Sequence, residues 1–162
     1  MAALKAHGVR TLVDIRSFPM SRRMPHFNRE SLEVELPNYG IAYVWMKELG
    51  GRRKKIRDDS PNTGLRNDSF RNYADYMLTD EFAQGIERLL ETAAEGNTAI
   101  MCAERVYFQC HRMLVSDYLT ACGHTVLHIG DDKRPLREHK LMAEARLVDG
   151  KLVYDAQQLF KP

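Results

Sequence analysis

Nowhere in the sequence do apolar residues run to the roughly 18 that a membrane-spanning helix needs, so no such helix is expected. Met1 to Arg10 lacks the apolar stretch of a secretory signal. Cysteine is scarce and odd in number, at Cys102, Cys110 and Cys122, and no C-x-x-C pair occurs. Without an export signal, reduced thiols and a cytoplasmic location are the expectation. The phosphate-cradling patterns G-x-x-x-x-G-K-[ST] and G-x-G-x-x-G are missing, which excludes the standard nucleotide loops. So is the G-x-S-x-G nucleophile elbow. A phosphatase loop needs cysteine, five residues and then arginine, but Phe108 stands at that distance from Cys102. No pattern calls for a cofactor, and none is expected.

What is present is ordinary globular material. The chain has 162 residues, 44% hydrophobic and 28% charged, enough for one domain with a true core. No repeat, low-complexity tract or second domain interrupts it, so residues 1–162 read as a single α/β domain. The formal net charge of +2 hides an asymmetry. Residues 1–72 carry fourteen Lys/Arg against eight Asp/Glu, and residues 73–162 carry ten against fourteen. Two basic clusters stand out, Arg22-Arg23 and Arg52-Arg53-Lys54-Lys55. They read either as a solvated loop face or as an anion site for phosphate, nucleotide or nucleic acid. Aromatic residues do not interleave with them as on single-strand binding platforms, which weakens the nucleic-acid reading.

The pattern alternates strands with helices. A helix end at Leu4 to Gly8 precedes a β-branched strand at 11–15, stopped by Pro19. Residues 16–28 form a basic loop, and Asn28 is placed to cap a helix over 29–39 whose last turn Pro37 disturbs. A second strand follows at 41–45. Residues 47–67 hold Gly50-Gly51, the basic run and Pro61; a loop this long is usually functional or mobile. Ser69 is placed to cap a short helix. Thr79 opens an amphipathic one with Phe82, Ile86, Leu89 and Leu90 at helical spacing. A third strand spans 98–102, a helix runs from near Cys110 to Ala121 with Cys122 on its inner face, and a fourth strand spans 125–129. Residues 135–146 suggest a further helix, and Leu147 to Tyr154 a hairpin turning on Asp149-Gly150. The expected architecture is three-layered, with a central, mostly parallel four-stranded sheet flanked by helices.

In such sheets ligands sit beyond the carboxyl ends of the strands. That places Cys102 and Glu104 at the end of the third strand. The loop then feeds Cys110, His111 and Arg112 into the start of a helix, where unpaired N–H groups favour anions and lower a nearby thiol pKa. Cys102, Glu104, Cys110 and His111 are the candidate catalytic residues. Arg112 is an anion anchor, and His128 and His139 are remote candidates for substrate contact. A second constellation is Asp14-x-Arg16-Ser17 with Arg22, Arg23, Asn28 and Arg52. Arg16 either pairs with Asp14 or grips a substrate carboxylate or phosphate. Each of these residues also has a bland reading: cysteine as core, His111 as surface, Glu104 as an ion-pair partner. A zinc site from Cys102, Cys110, His111 and a remote histidine is the lesser reading, because adjacent Cys110 and His111 rarely share one ion.

The segments V-D-I-R-S-F-P-M-S-R-R-M-P-H-F-N (13–28), E-L-G-G-R-R (48–53), S-F-R-N-Y-A-D-Y-M (69–77) and C-A-E-x5-C-H-R (102–112) resemble the blocks of the domain-of-unknown-function 488 family. H-I-G (128–130) and E-H-K-L-M-A-E-A-R (138–146) resemble them too. The resemblance implies an α/β fold and a cytoplasmic bacterial or archaeal protein, and it brings no reaction with it. Family members open on a strand reading roughly T-I-G-H-S, whereas this chain begins inside the helix that follows. Either the start is placed late or this form lacks the strand; lacking it, an exposed sheet edge near residues 11–15 is expected, which invites pairing with a second copy. Three functional readings stand: an enzyme for a small anionic or nucleotide-like substrate, a nucleic-acid or nucleotide-binding module, and a metal-binding protein. None involves a membrane.

Overall fold

The computed structural model describes residues 1–130 and 135–155. Its centre is a parallel sheet of three strands, β1 (Thr11–Asp14), β2 (Ala42–Trp45) and β3 (Thr98–Met101), in the order β2-β1-β3. The register sets Thr11 beside both Ala42 and Thr98, and Asp14 beside both Trp45 and Met101. Side chains alternate across the sheet. Leu12 therefore packs with Leu32, Leu36 and Ile41 on one face, under α2 (Arg29–Glu35). Val13 and Ile15 pack on the other face with Tyr73, Phe82, Leu89, Leu114 and Val115. These come from α3 (Asp68–Tyr76), α4 (Asp80–Ala94) and α5 (Arg112–Ala121). Fully burying a side chain such as Phe82 contributes about 2–3 kcal/mol. A short α1 (Ala2–Ala6) precedes β1.

Local signals explain most boundaries. Thr79 accepts the Phe82 N–H and starts α4. Pro37 converts the end of α2 into a 3-10 turn at Leu36–Tyr39, closed by Gly40 at φ 72°. The cap of α3 is Asn67, which accepts from Ser69 and Phe70, in place of the expected Ser69. Asn28 stands at the cap position of α2, but its side chain accepts the Ser21 N–H instead.

Four expectations are corrected. The fourth strand does not join the sheet. Leu127–His128 (β4) pairs antiparallel with Arg137–Glu138 (β5), apart from the three-stranded sheet. Residues 135–146 are not helical despite their composition. The His139 N–H goes to the Val126 carbonyl and the Met142 N–H to the Asp117 carboxylate, so tertiary bonds override propensity. Cys122 is exposed rather than core, because α5 ends there and the chain turns outward at Gly123, φ 89°. Finally, β1 is the central strand, paired on both sides, so residues 11–14 form no edge. The hairpin is as expected: β6 (Ala145–Val148) and β7 (Lys151–Tyr154) meet at Asp149 and Gly150, both with positive φ.

The long 47–67 segment is irregular, yet it is tied to the body. Asn62 is fully buried, gives its amide N–H to Asp75 and accepts the Tyr154 N–H.

Candidate functional site

The carboxyl ends of β1 and β3 lie side by side. The Ile15 N–H donates to the Met101 carbonyl at 2.9 Å, extending the ladder one residue past Asp14. Cys102 therefore emerges next to Ile15. The loop returns through a 3-10 turn at Tyr107–Gln109 to Cys110, whose backbone is extended, and to His111, the cap residue of α5. The change from extended to helical backbone brings both side chains back towards Cys102.

His111 Nε2 lies 3.0 Å from the Ile15 carbonyl oxygen. A carbonyl can only accept, so in the neutral ring Nε2 carries the hydrogen and Nδ1 holds the lone pair. That Nδ1 lies 3.4 Å from the Cys110 Sγ and 3.7 Å from the Cys102 Sγ. Cys110 and His111 are buried and Cys102 is half-buried. The ring of Tyr73 tilts against the imidazole at 5.0 Å, and the Tyr73 hydroxyl donates to the Leu49 carbonyl. Gly51 lies against the imidazole, and a Cβ there would stand 2.3 Å from Nδ1. Only glycine lets the backbone pass so close.

The two thiols titrate as a pair. The hydrogen bond from Cys102 pulls the Cys110 thiol down to about 6; burial opposes this, and the Arg112 N–H and charge assist it. Donating that bond, together with burial, pushes Cys102 up to about 12. The two shifts belong to the pair: the contact between the sulfurs favours losing one proton and opposes losing the second. The lowered thiol expected at the helix start is Cys110, and its main cause is the neighbouring thiol.

Beside Gly51 opens a cleft of about 460 Å³, lined by Phe18, Gly51, Arg52, Arg53, Lys54 and Ser69. Arg53 is held in place: it donates to the Gly50 and Glu48 carbonyls and lies 3.5 Å over the Tyr76 ring. Arg52 is exposed and reaches over Phe18 at 5.6 Å, and Lys54 is exposed. The Ser17 hydroxyl accepts the Arg52 N–H at 3.0 Å and fixes this loop to the end of β1.

Other expected residues lie elsewhere or are already engaged. Arg16 is buried against Asp14, giving two bonds from Nε at 2.8 and 3.0 Å and one from Nη2 to the same carboxylate. Its Nη2 also donates to the Phe27 carbonyl, and Tyr43 donates to Asp14 at 2.6 Å. That buried pair is an ion pair that shapes the loop, not a free anion grip. Arg22 and Arg23 are exposed and do not line the cleft. Glu104 is exposed; its carbonyl, with that of Arg105, accepts from the Arg112 guanidinium, so Arg112 ties this loop to the start of α5. His128 and His139 join a separate chain. His128 Nε2 contacts His139 Nδ1 at 2.9 Å, and His139 Nε2 donates to Asp117 at 2.8 Å. Tyr154 donates to the same Asp117 carboxylate, and Tyr107 stacks on His128 at 3.5 Å. The sequence reading gave no site role to Gly51, Tyr73, Tyr107, Asp117 or Tyr154. Gly51 left a signal in the Gly50-Gly51 pair of the long loop, and Asp117 left one as a carboxylate on the apolar face of α5 among Leu114, Val115 and Leu119.

The family model of the domain of unknown function DUF488 matches residues 1–119, and the chain belongs to that family. The match takes in all three strands of the sheet and the Cys102–Cys110–His111 cluster, and ends within α5, before His128 and His139. Comparison with curated proteins and with solved structures gave no match.

Proposed function

We propose that this member of the family is an enzyme that acts on a small anionic substrate through Cys102, Cys110 and His111. The observation that carries the reading is the imidazole whose Nδ1 lone pair faces two thiols while its Nε2 is fixed to Ile15. This is the arrangement of an activated nucleophile: a sulfur, a base within reach, and a third group that orients the base. Cys110 supplies the thiolate, Cys102 the proton that stabilises it, and His111 a proton acceptor at Nδ1. The cleft next to Gly51 supplies exposed positive charge at Arg52 and Lys54 for the anionic group of the substrate. Arg112 is a positioning residue that holds the 104–105 loop.

Alkylation of the reduced, chelator-treated protein tests this. Iodoacetamide, with the labelled residue located by mass spectrometry, is expected to modify the Cys102–Cys110 pair with a midpoint near 6. An ordinary thiol has its midpoint at about 8.5. Iodoacetate is expected to react faster than iodoacetamide at low salt, and Arg52→Ala with Lys54→Ala is expected to abolish the preference. Labelling confined to Cys122, with an ordinary midpoint, overturns the reading.

A further inference from the structure

We propose that Cys102, Cys110 and His111 form the binding site of a single zinc-class divalent ion, with three protein ligands and a fourth position left open. The ligand atoms of the three residues all lie within 4.8 Å of one another. Zinc holds sulfur at about 2.3 Å and imidazole nitrogen at about 2.0–2.1 Å. At a tetrahedral angle those lengths set the sulfur-to-nitrogen separation at about 3.6 Å. The two separations here are 3.4 and 3.7 Å, one on each side of that value.

The sequence objection was that neighbours such as Cys110 and His111 rarely serve one ion. The backbone removes it. Cys110 is extended at φ −139° and ψ 153°, and His111 is helical at φ −57° and ψ −13°. This junction sets the side chains of consecutive residues 3.4 Å apart. The surroundings also fit. The Ile15 carbonyl takes the Nε2 hydrogen of His111, the outer contact that orients a metal-bound imidazole and leaves Nδ1 free to ligate. The Arg112 N–H points at the Cys110 sulfur at 3.5 Å. Two thiolates and one imidazole suit zinc rather than magnesium or calcium, which take oxygen ligands. Cys102, half-buried beside two buried ligands, leaves the approach to the fourth position on its own side.

This assignment uses the same three side chains as the thiolate reading but does not rest on their titration. With the ion in place both sulfurs are ligands and cannot attack a substrate, so occupancy blocks alkylation. Titration of the reduced, chelator-treated full chain with Co²⁺ tests it. The expected result is one equivalent bound, with the intense visible bands of tetrahedral cobalt and a sulfur-to-cobalt charge-transfer band, all lost on adding Zn²⁺. Cys102→Ser and His111→Gln are expected to weaken binding at least tenfold, and Cys122→Ser to leave it unchanged. Cys102 is the less buried ligand, and the circular dichroism of its variant reports whether the fold is retained. One equivalent of zinc is expected to protect Cys102 and Cys110 from iodoacetamide. A weak, octahedral-type cobalt spectrum without the charge-transfer band overturns the assignment, as does binding that a folded Cys102→Ser variant retains in full. Failure here with fast alkylation leaves the nucleophile reading standing, and tight thiolate–cobalt binding with slow alkylation of the metal-free protein does the reverse.

Discussion

Replacing Asp117 by asparagine tests how firmly the second half of the molecule is held. Asp117 is fully buried on α5, and three donors converge on its carboxylate. His139 Nε2–H and the Met142 N–H reach Oδ1 at 2.8 and 3.1 Å, and the Tyr154 hydroxyl reaches Oδ2 at 3.0 Å. The amide that replaces the carboxylate keeps one oxygen, enough for His139 and Met142. Its NH2 then faces the Tyr154 hydroxyl, which loses its acceptor inside a sealed core. A bond to a charged group contributes about 1.5–3 kcal/mol, and the other two bonds lose their charge assistance. The expected loss of stability is therefore about 2–4 kcal/mol, or roughly 5–15 °C in Tm for a domain of this size. Urea unfolding followed by the fluorescence of Trp45, the single tryptophan, measures it. Tyr154→Phe completes a double-mutant cycle, with an expected coupling above about 0.5 kcal/mol. A loss below about 0.5 kcal/mol, or strict additivity, refutes the argument that these groups form one network.

Two further outcomes follow from the same contacts. Burial, helped by His139, Arg112 and Arg137, lowers the His128 pKa to about 4. The unfolded chain therefore takes up its proton first, so this stability is complete above about pH 6.5 and is lost as the pH falls towards 4. The ring is partly exposed, so screening reduces the effect to on the order of 1–2 kcal/mol; a His128→Gln variant with the same acid profile as the parent refutes it. Gly51→Ala places a methyl 2.3 Å from the His111 Nδ1, so either the loop lifts or the imidazole leaves Ile15. The expected cost is about 1–3 kcal/mol, with loss of fast alkylation at the thiol pair; unchanged alkylation by the variant counts against the site.

The first three strands, the Thr79 cap and the Asp149-Gly150 turn were legible because each rests on a local signal. A β-branched run, a hydroxyl before an amphipathic stretch and a two-residue turn with positive φ need no knowledge of the rest of the chain. The region after α5 was not legible in that way. Leu136 to Ala145 has helix-forming composition, but His139 and Met142 are held by Val126 and Asp117, partners more than ten residues away. The clustering of Cys102, Cys110 and His111 was readable from strand and helix order alone. What spacing did not reveal was that the imidazole is fixed from below by a main-chain carbonyl and covered by a glycine from another loop. Arg16 shows what spacing leaves open: its place beyond a strand end allowed either an ion pair with Asp14 or an anion grip, and the buried pair with Asp14 is the one formed.

The site depends on register as much as on residue type. The Ile15 N–H completes the ladder to Met101, and on the other side the Asp14 carbonyl accepts the Met46 N–H. The Ile15 carbonyl, the next acceptor along, takes the imidazole of His111 instead of a strand. Shifting β1 by one residue would turn Val13 and Ile15, both fully buried, onto the face of α2 and bring Leu12 beneath α4 and α5. The same shift would carry the Ile15 carbonyl about 3.3 Å along the strand, beyond reach of His111 Nε2. The apolar alternation that fixes the sheet therefore also fixes which nitrogen of His111 faces the two sulfurs. Both the nucleophile and the metal readings require Nδ1 there.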